Sequence, residues 1–342
     1  MSSDIPVIKI PGRTYPVEKQ FDSTEKYLDI ITREYNKGKN ILFFVPGKKE
    51  IDDNIALLRA TFGEDVEIFP LHADLPKEEQ QKLLTKSTSK KPRIIVCTNV
   101  AEESITIPYI DVVVDLGTHK VAHYNEQGIQ ELRLENTAQA NVRQRLGRAG
   151  RTHDGIYFRT NEALFDDLPD YPKSPMEREM LDRYILILLA NKIDITLRYD
   201  EATRDRNRLF FHDFNKDLLD ISYERLALVG AINKSKNITP LGRDLLALPL
   251  DIYHARMLRE GVKRKCVEDM IYTTAILEKK GFVSKSGTWK EIKMSGGKES
   301  DVFGYADLFK LCTATTLPKS KLDQLISLGI DKDKLNDFVI RK

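Results

Sequence analysis

DSTEKYLDIITREYNKGKNILFFV, residues 22–45, changes its apolar period half-way along. Tyr27, Ile30, Ile31 and Tyr35 recur at helical spacing, with Asp22 or Ser23 as an acceptor for the helix start and Gly38 as a stop. Residues 41–45 are then continuously apolar, as a strand covered on both faces must be. A surface helix feeding a doubly buried strand is the working half of a βαβ unit.

The same alternation repeats downstream. Ile51, Ile55, Leu58 and Phe62 mark a second helix ending at Gly63, and VEIF follows as a strand. Pro76 opens a third helix with Glu78 and Glu79 in its first turn, ahead of the strand RIIVC (93–97) and, soon after, DVVVDLG (111–117). The spacing predicts a parallel sheet with helices on both faces. THKVAHYNEQGIQELRLEN (118–136) alternates about the polar Asn125–Gly128 and reads as a β-hairpin. Thr137 is placed to cap a helix through QANVRQRL, and GIYFRT (155–160) is a last strand.

Beyond Asp170 the pattern changes. YPKSP is linker-like, and the next 80 or so residues read as helices with a short strand pair around AINKSKNITPLG (231–242). That is the outline of a winged helix, although periodicity alone leaves other small helical folds open. From Asp251 the spacing is helical again. We therefore divide the chain into an α/β domain at 1–170 and mainly α domains at 171–250 and 251–342.

Composition bounds the function. The chain has 342 residues and a net charge of +2, and its first 160 residues carry 23 Lys and Arg against 23 Asp and Glu. Any contact with a polyanion must come from a local track of donors rather than a bulk field. Cys97, Cys266 and Cys312 lie far apart without CxxC spacing, so neither a zinc site nor a disulfide framework is expected, and Cys97 reads as a buried strand residue. No apolar run approaches the roughly 18 residues of a membrane span, and no signal peptide opens the chain. The expectation is an intracellular protein, placed in the cytoplasm with the nucleus left open, and no metal site of its own.

QRLGRAGRTHDG (144–155) sets Arg145, Arg148 and Arg151 among small residues. A planar guanidinium fork suits phosphate, and small neighbours allow a second body to come close. Such a run can equally be a solvated helix face. Context decides. ILFFVPGKKEI, PLHADLPKEEQ, RIIVCTNVAEESITIP and QRLGRAGR, in this order after the lead-in IPGRTYPVE, resemble the second RecA-like lobe of DEAH-box RNA helicases. ITPLGRDLLALPLD resembles the end of that family's winged-helix domain, and the remainder is similar to its ratchet-like helical domain.

The resemblance implies a RecA-like α/β lobe followed by winged-helix and helical-bundle domains, using ATP with Mg²⁺ and acting on RNA. It implies that Arg148 and Arg151 meet the charge developing on the γ-phosphate, with Gln144 organising the phosphate or water and Gly147, Ala149 and Gly150 keeping the approach open. Thr98 and Asn99 would hold the RNA backbone, and Ser104 would communicate between backbone and nucleotide. The alternative is that Thr98 and Ser104 merely cap the turn and the next helix. Arg143 and Arg145 read as surface or salt-bridge residues, and His72 and His119 as structural ones. The hairpin would act as a wedge or brace near strand separation.

Two positions depart from the family. Leu84 stands where an adenine-stacking aromatic is expected, and Pro108 where an acid would reach the ribose. Neither GxxxxGK[ST] nor a DEAH tetrad is present: GGKES (296–300) lacks both the first glycine and the Ser or Thr, and Asp200–Thr203 imitates the tetrad without a preceding apolar strand. The phosphate cradle and the Mg²⁺ acid are expected on a first lobe preceding Met1, with an activating protein partner also open. This chain alone should be catalytically silent. The rivals are a non-catalytic RNA-binding adaptor and a DNA translocase.

Overall fold

The computed structural model describes residues 15–64, 66–84, 91–103, 107–125, 129–193, 214–278 and 310. They fall into two compact units, the first ending at Glu179 and the second beginning at Met180.

The first unit is built on a six-stranded sheet in the order β1 (Val17–Gln20), β8 (Gly155–Arg159), β5 (Val112–Asp115), β2 (Ile41–Phe44), β4 (Arg93–Cys97), β3 (Glu67–Leu71). Every pairing in it is parallel. β2, β4 and β5 are buried along their whole length, as the apolar runs 41–44, 94–97 and 112–114 require, with the charged ends Arg93 and Asp115 buried as well. Their alternate side chains serve two separate cores. Ile41, Phe43, Ile94, Val96, Val112 and Val114 pack with Ile30 and Ile31 of α1 (Tyr27–Asn36) and Ile51 and Leu58 of α2 (Lys48–Phe62). Leu42, Phe44, Ile95, Cys97 and Val113 pack with Leu83 of α3 (Lys77–Leu84), Ala101 of α4 (Val100–Glu103) and Val142 of α5 (Gln139–Leu146). Cys97 is a fully buried free thiol, pushed up in pKa by that burial.

β6 (Thr118–Tyr124) and β7 (Gln130–Asn136) form the antiparallel hairpin, with Asn125 Oδ1 accepting from Ile129 N at 2.9 Å. Glu126–Gly128 lie outside the described residues. The hairpin base is held to α2 by the Lys120–Glu50 ion pair at 2.8 Å and to the short helix at 175–178 by Arg178 Nη1, which donates to Ala122 O at 3.4 Å.

Two expected caps are corrected. α1 begins at Tyr27 rather than beside Asp22 or Ser23. Ser23 Oγ is used earlier, accepting from Glu25 N at 3.3 Å, and Asp22 accepts from Phe165 N at 2.8 Å. Thr137 does not cap α5: it is buried, and its hydroxyl donates to Gly117 O at 3.2 Å. α5 starts one residue later, where Asn141 Oδ1 reaches back to Ala138 N at 3.3 Å. β1 was not anticipated, because VEKQ carries no apolar alternation and its place comes from pairing with β8.

The second unit holds α7 (Asp182–Ala190), α8 (Lys216–Leu228), α9 (Pro240–Leu246), α10 (Ile252–Lys263) and α11 (Val267–Glu278); α6 (Pro175–Arg178) belongs to the first. The strand pair expected around 231–242 is a single antiparallel bridge, Ile232 to Ile238. Asn215, Thr239 and Asp251 cap α8, α9 and α10 through their side chains. No helix among the described residues is long and apolar enough to cross a membrane. Asp200–Thr203 and residues 296–300 lie outside the described residues.

Candidate functional site

The arginine segment follows α5 and leads into β8. Gly147 closes the helix, its N–H donating to Arg143 O at 3.0 Å, and Arg148 N donates to Arg145 O at 3.0 Å. Gln144, Gly147 and Arg151 are exposed, and Arg151 Nε donates to Gly147 O at 3.2 Å. Arg148 is turned inward, only 8% exposed. It is not the open fork that an approach from outside would meet first.

The small residues of this segment serve two purposes, and the expectation that all three keep an approach clear is corrected. Gly150 has φ +66°, and a Cβ there would lie 2.5 Å from Val17 Cγ2 and 2.7 Å from Tyr15 O. Its carbonyl accepts from Tyr15 N at 2.9 Å, so Gly150 lets the lead-in chain lie against the turn. Ala149 is buried in the core and sits where a Cβ on Gly155 would meet it at 2.7 Å. Gly147 alone of the three is exposed, and an added Cβ there would meet nothing closer than the Arg143 and Gln144 carbonyls at 3.4 Å.

Thr98 and Asn99 lie just past β4. Their carbonyls start α4 by accepting from Ala101 N (3.1 Å) and Glu102 N (2.9 Å), while Thr98 N donates to Leu71 O at 3.1 Å. Neither side chain hydrogen-bonds a described residue, so Thr98 is not the side-chain cap of α4. Asn99 is exposed and opens on a cavity of about 710 Å³. Ser104 lies outside the described residues, as does the side chain of Leu84; Pro108 is half-buried.

Sequence reasoning allowed Arg145 a salt bridge but missed its weight. Arg145 is fully buried between two acids: Nε donates to Glu102 Oε1 at 2.8 Å and Nη1 to Asp115 Oδ1 at 2.6 Å. Its guanidinium carbon stands 4.8 Å from the centre of the Phe44 ring. Burial opposes its charge, yet Asp115 and Glu102 more than offset this and hold its pKa above the ordinary value. Around them Gly117 N and Tyr157 Oη donate to Asp115 at 2.7 and 2.6 Å, and Asn141 Nδ2 donates to Glu102 Oε2 at 2.9 Å. Burial, and then the carboxylate of Asp115, pushes the Tyr157 phenol up. A signal was available: Arg145 falls three residues after Val142 and four before Ala149, on the apolar stripe of the segment. Arg143, by contrast, is exposed and bonds Gln139 Oε1 at 2.6 Å. His119 is pushed below its ordinary pKa by burial and then by Arg145. Burial likewise lowers His72, with Lys48 adding to it.

Residues 22–153 match the helicase conserved C-terminal domain. The ATP-dependent RNA helicase HrpA of Escherichia coli (strain K12) is 33% identical over 299 residues, covering 80% of this chain. The chain belongs to the DEAH-box helicase family. A pre-mRNA-splicing factor of that family, the ATP-dependent RNA helicase prp22 of Schizosaccharomyces pombe, is 29% identical over 289 residues and likewise covers 80% of the chain. The chain spans 22% and 24% of the length of these two helicases. The crystal structure of the E. coli DExH-box NTPase HrpB shares the fold, with a TM-score of 0.69 at 22% identity over 87% of this chain and 36% of that one. The six-stranded parallel sheet is that of the RecA-like helicase C-terminal domain, with helical segments after it in the chain.

Proposed function

We propose that this chain is the C-terminal working part of an ATP-dependent RNA helicase: a second motor lobe (1–170), a winged helix (171–250) and a ratchet-like helical domain (251–342). The observation that carries the reading is the set of exposed residues Gln144, Gly147 and Arg151, running from the last turn of α5 into the segment after it, on a lobe whose relatives are named ATP-dependent RNA helicases. A guanidinium, an amide and an unobstructed glycine suit phosphate oxygens. None of the three is a carboxylate, the group on which Mg²⁺ is usually bound beside substrate phosphates, so this reading assigns the metal to a first lobe.

In this reading Arg151 and Arg148 stabilise the negative charge that develops on the transferred γ-phosphoryl group, a role worth roughly 10³ to 10⁵ in rate. Gln144 orients the attacking water or the phosphate, and Ser104 links the two ligands. Thr98 and Asn99 hold sugar and phosphate oxygens of RNA without reading its sequence. ATP closes this lobe on the first one, and its hydrolysis to ADP and phosphate reopens the gap, which moves the strand.

The test is phosphate release by the purified 342-residue chain, with and without RNA, beside the same chain joined to its first lobe. Turnover is expected only with both lobes. Steady turnover by the chain alone that disappears in Arg148→Ala would place a complete ATP site within these residues and overturn the half-motor reading.

A further inference from the structure

The groove beside Asn99 and the anchor of the arginine turn share the same side chains. Glu102 and Asn141 both line the cavity on which Asn99 opens, together with His119, Tyr171 and Arg178. These two are also the outer members of the buried network: Asn141 holds Glu102, Glu102 holds Arg145, and the Arg145 carbonyl holds Arg148 N.

Stability alone does not call for this arrangement. Asp115 already gives Arg145 a buried counter-charge, backed by Gly117 N and Tyr157 Oη from the sheet side. Adding Glu102 brings a second carboxylate into the interior, and buried ion pairs are weak sources of stability even when matched. What the second acid adds is a connection. It ties α4, which begins on the carbonyls of Thr98 and Asn99, to α5, which ends at the arginine turn. A discrete, fully packed pair of this kind passes a displacement on rather than absorbing it.

We propose that Glu102 and Arg145 are positioning residues that couple RNA in the Asn99 groove to Arg148 and Arg151, with Asn141 as the contact a sugar or phosphate oxygen reaches. The inference rests on the proposed RNA-dependent ATPase. An acceptor oxygen entering the groove competes with Glu102 for the Asn141 amide. Glu102 then moves against Arg145, and the turn that carries Arg148 moves with it.

The experiment uses the helicase with both lobes present and a single-stranded oligoadenylate as the RNA. It compares the parent with Glu102→Gln, Asn141→Ala and Tyr157→Phe, measuring RNA-free kcat, RNA-stimulated kcat, RNA affinity and thermal midpoint. Glu102→Gln is expected to keep RNA-free turnover and RNA affinity while losing at least about fivefold in stimulation. Asn141→Ala, which leaves the ion pair in place, loses stimulation in the same direction. Tyr157→Phe trims the same network from the sheet side; it lowers the midpoint and leaves stimulation alone. If Glu102→Gln does not fold, Asn141→Ala decides. Parental stimulation in Asn141→Ala, or a loss of stimulation in all three variants that tracks their midpoints, overturns the coupling. A stimulated parent matched by its variants sinks this inference alone, whereas a parent that RNA does not stimulate sinks the proposed function and the coupling with it.

Discussion

Gly150→Ala and Gly147→Ala should behave oppositely although the two glycines are three residues apart. At Gly150 an alanine must adopt φ +66°, and its Cβ would stand 2.5 Å from Val17 Cγ2 and 2.7 Å from Tyr15 O. The left-handed conformation costs an L-residue roughly 1–2 kcal/mol. The overlap adds roughly 1–3 kcal/mol, because one of the two obstacles is a backbone carbonyl that cannot swing aside. The total, about 2–5 kcal/mol, is a large share of a typical domain's stability of roughly 5–15 kcal/mol. At about 2–4 °C per kcal/mol for a unit of this size, Gly150→Ala should lower the melting midpoint by at least about 4 °C. Gly147 has φ −65° and ψ −2°, with the nearest atoms to an added Cβ at 3.4 Å. Gly147→Ala should therefore leave the midpoint unchanged or raise it slightly, by the entropy lost from the unfolded chain. Differential scanning calorimetry of the 342-residue chain measures both. Equal destabilisation by the two substitutions, or an unchanged midpoint for Gly150→Ala, would refute the argument that Gly150 serves the lobe's own packing and Gly147 the open face.

Three further outcomes are expected. In the two-lobed helicase Arg148→Ala and Arg151→Ala should each cut RNA-stimulated phosphate release by at least about a hundredfold. Only Arg148→Ala should also lower the midpoint, since Arg148 is buried and Arg151 exposed; parental turnover in either folded variant would remove its finger role. In the second unit burial pushes Asp182 from an ordinary 3.8 up to about 6, with Arg225 opposing and Asp251 adding to the rise. The native state then binds this proton more tightly than the unfolded chain, so Asp182's contribution to stability rises as pH falls from about 6 towards 4 and is lost on the way back up, a swing of up to about 3 kcal/mol. Urea titrations across that range should show a flatter profile for Asp182→Asn, and an identical slope in both proteins would dismiss the assignment. Removing Asn125–Gly128 from the hairpin tip should leave ATP hydrolysis nearly intact and lower unwinding of an RNA duplex; equal loss of both would show that the hairpin is no wedge.

The legible part of this protein was the part governed by local periodicity and ordered motifs. Continuous apolar runs at 41–45, 94–97 and 112–114 mark strands buried on two faces because a parallel sheet leaves them no solvent side, and each lies where expected. The hairpin at 118–136 was read from alternation about its polar turn, and the helix through QANVRQRL was placed although its expected cap, Thr137, was not the right one. Caps were less legible, since Ser23 and Thr137 each had several backbone groups within reach and sequence does not say which is closest.

What only the tertiary structure decided involves residues far apart in the chain. β1 is a strand because β8 offers it an edge, and Gly150 is a glycine because Tyr15 and Val17 pass over it. The burial of Arg145 needed an acid 43 residues earlier in the chain and another 30 residues earlier to arrive at one guanidinium. A charge can enter a protein interior only when its counter-charges are brought to it by the fold, and no local pattern records where those counter-charges will come from.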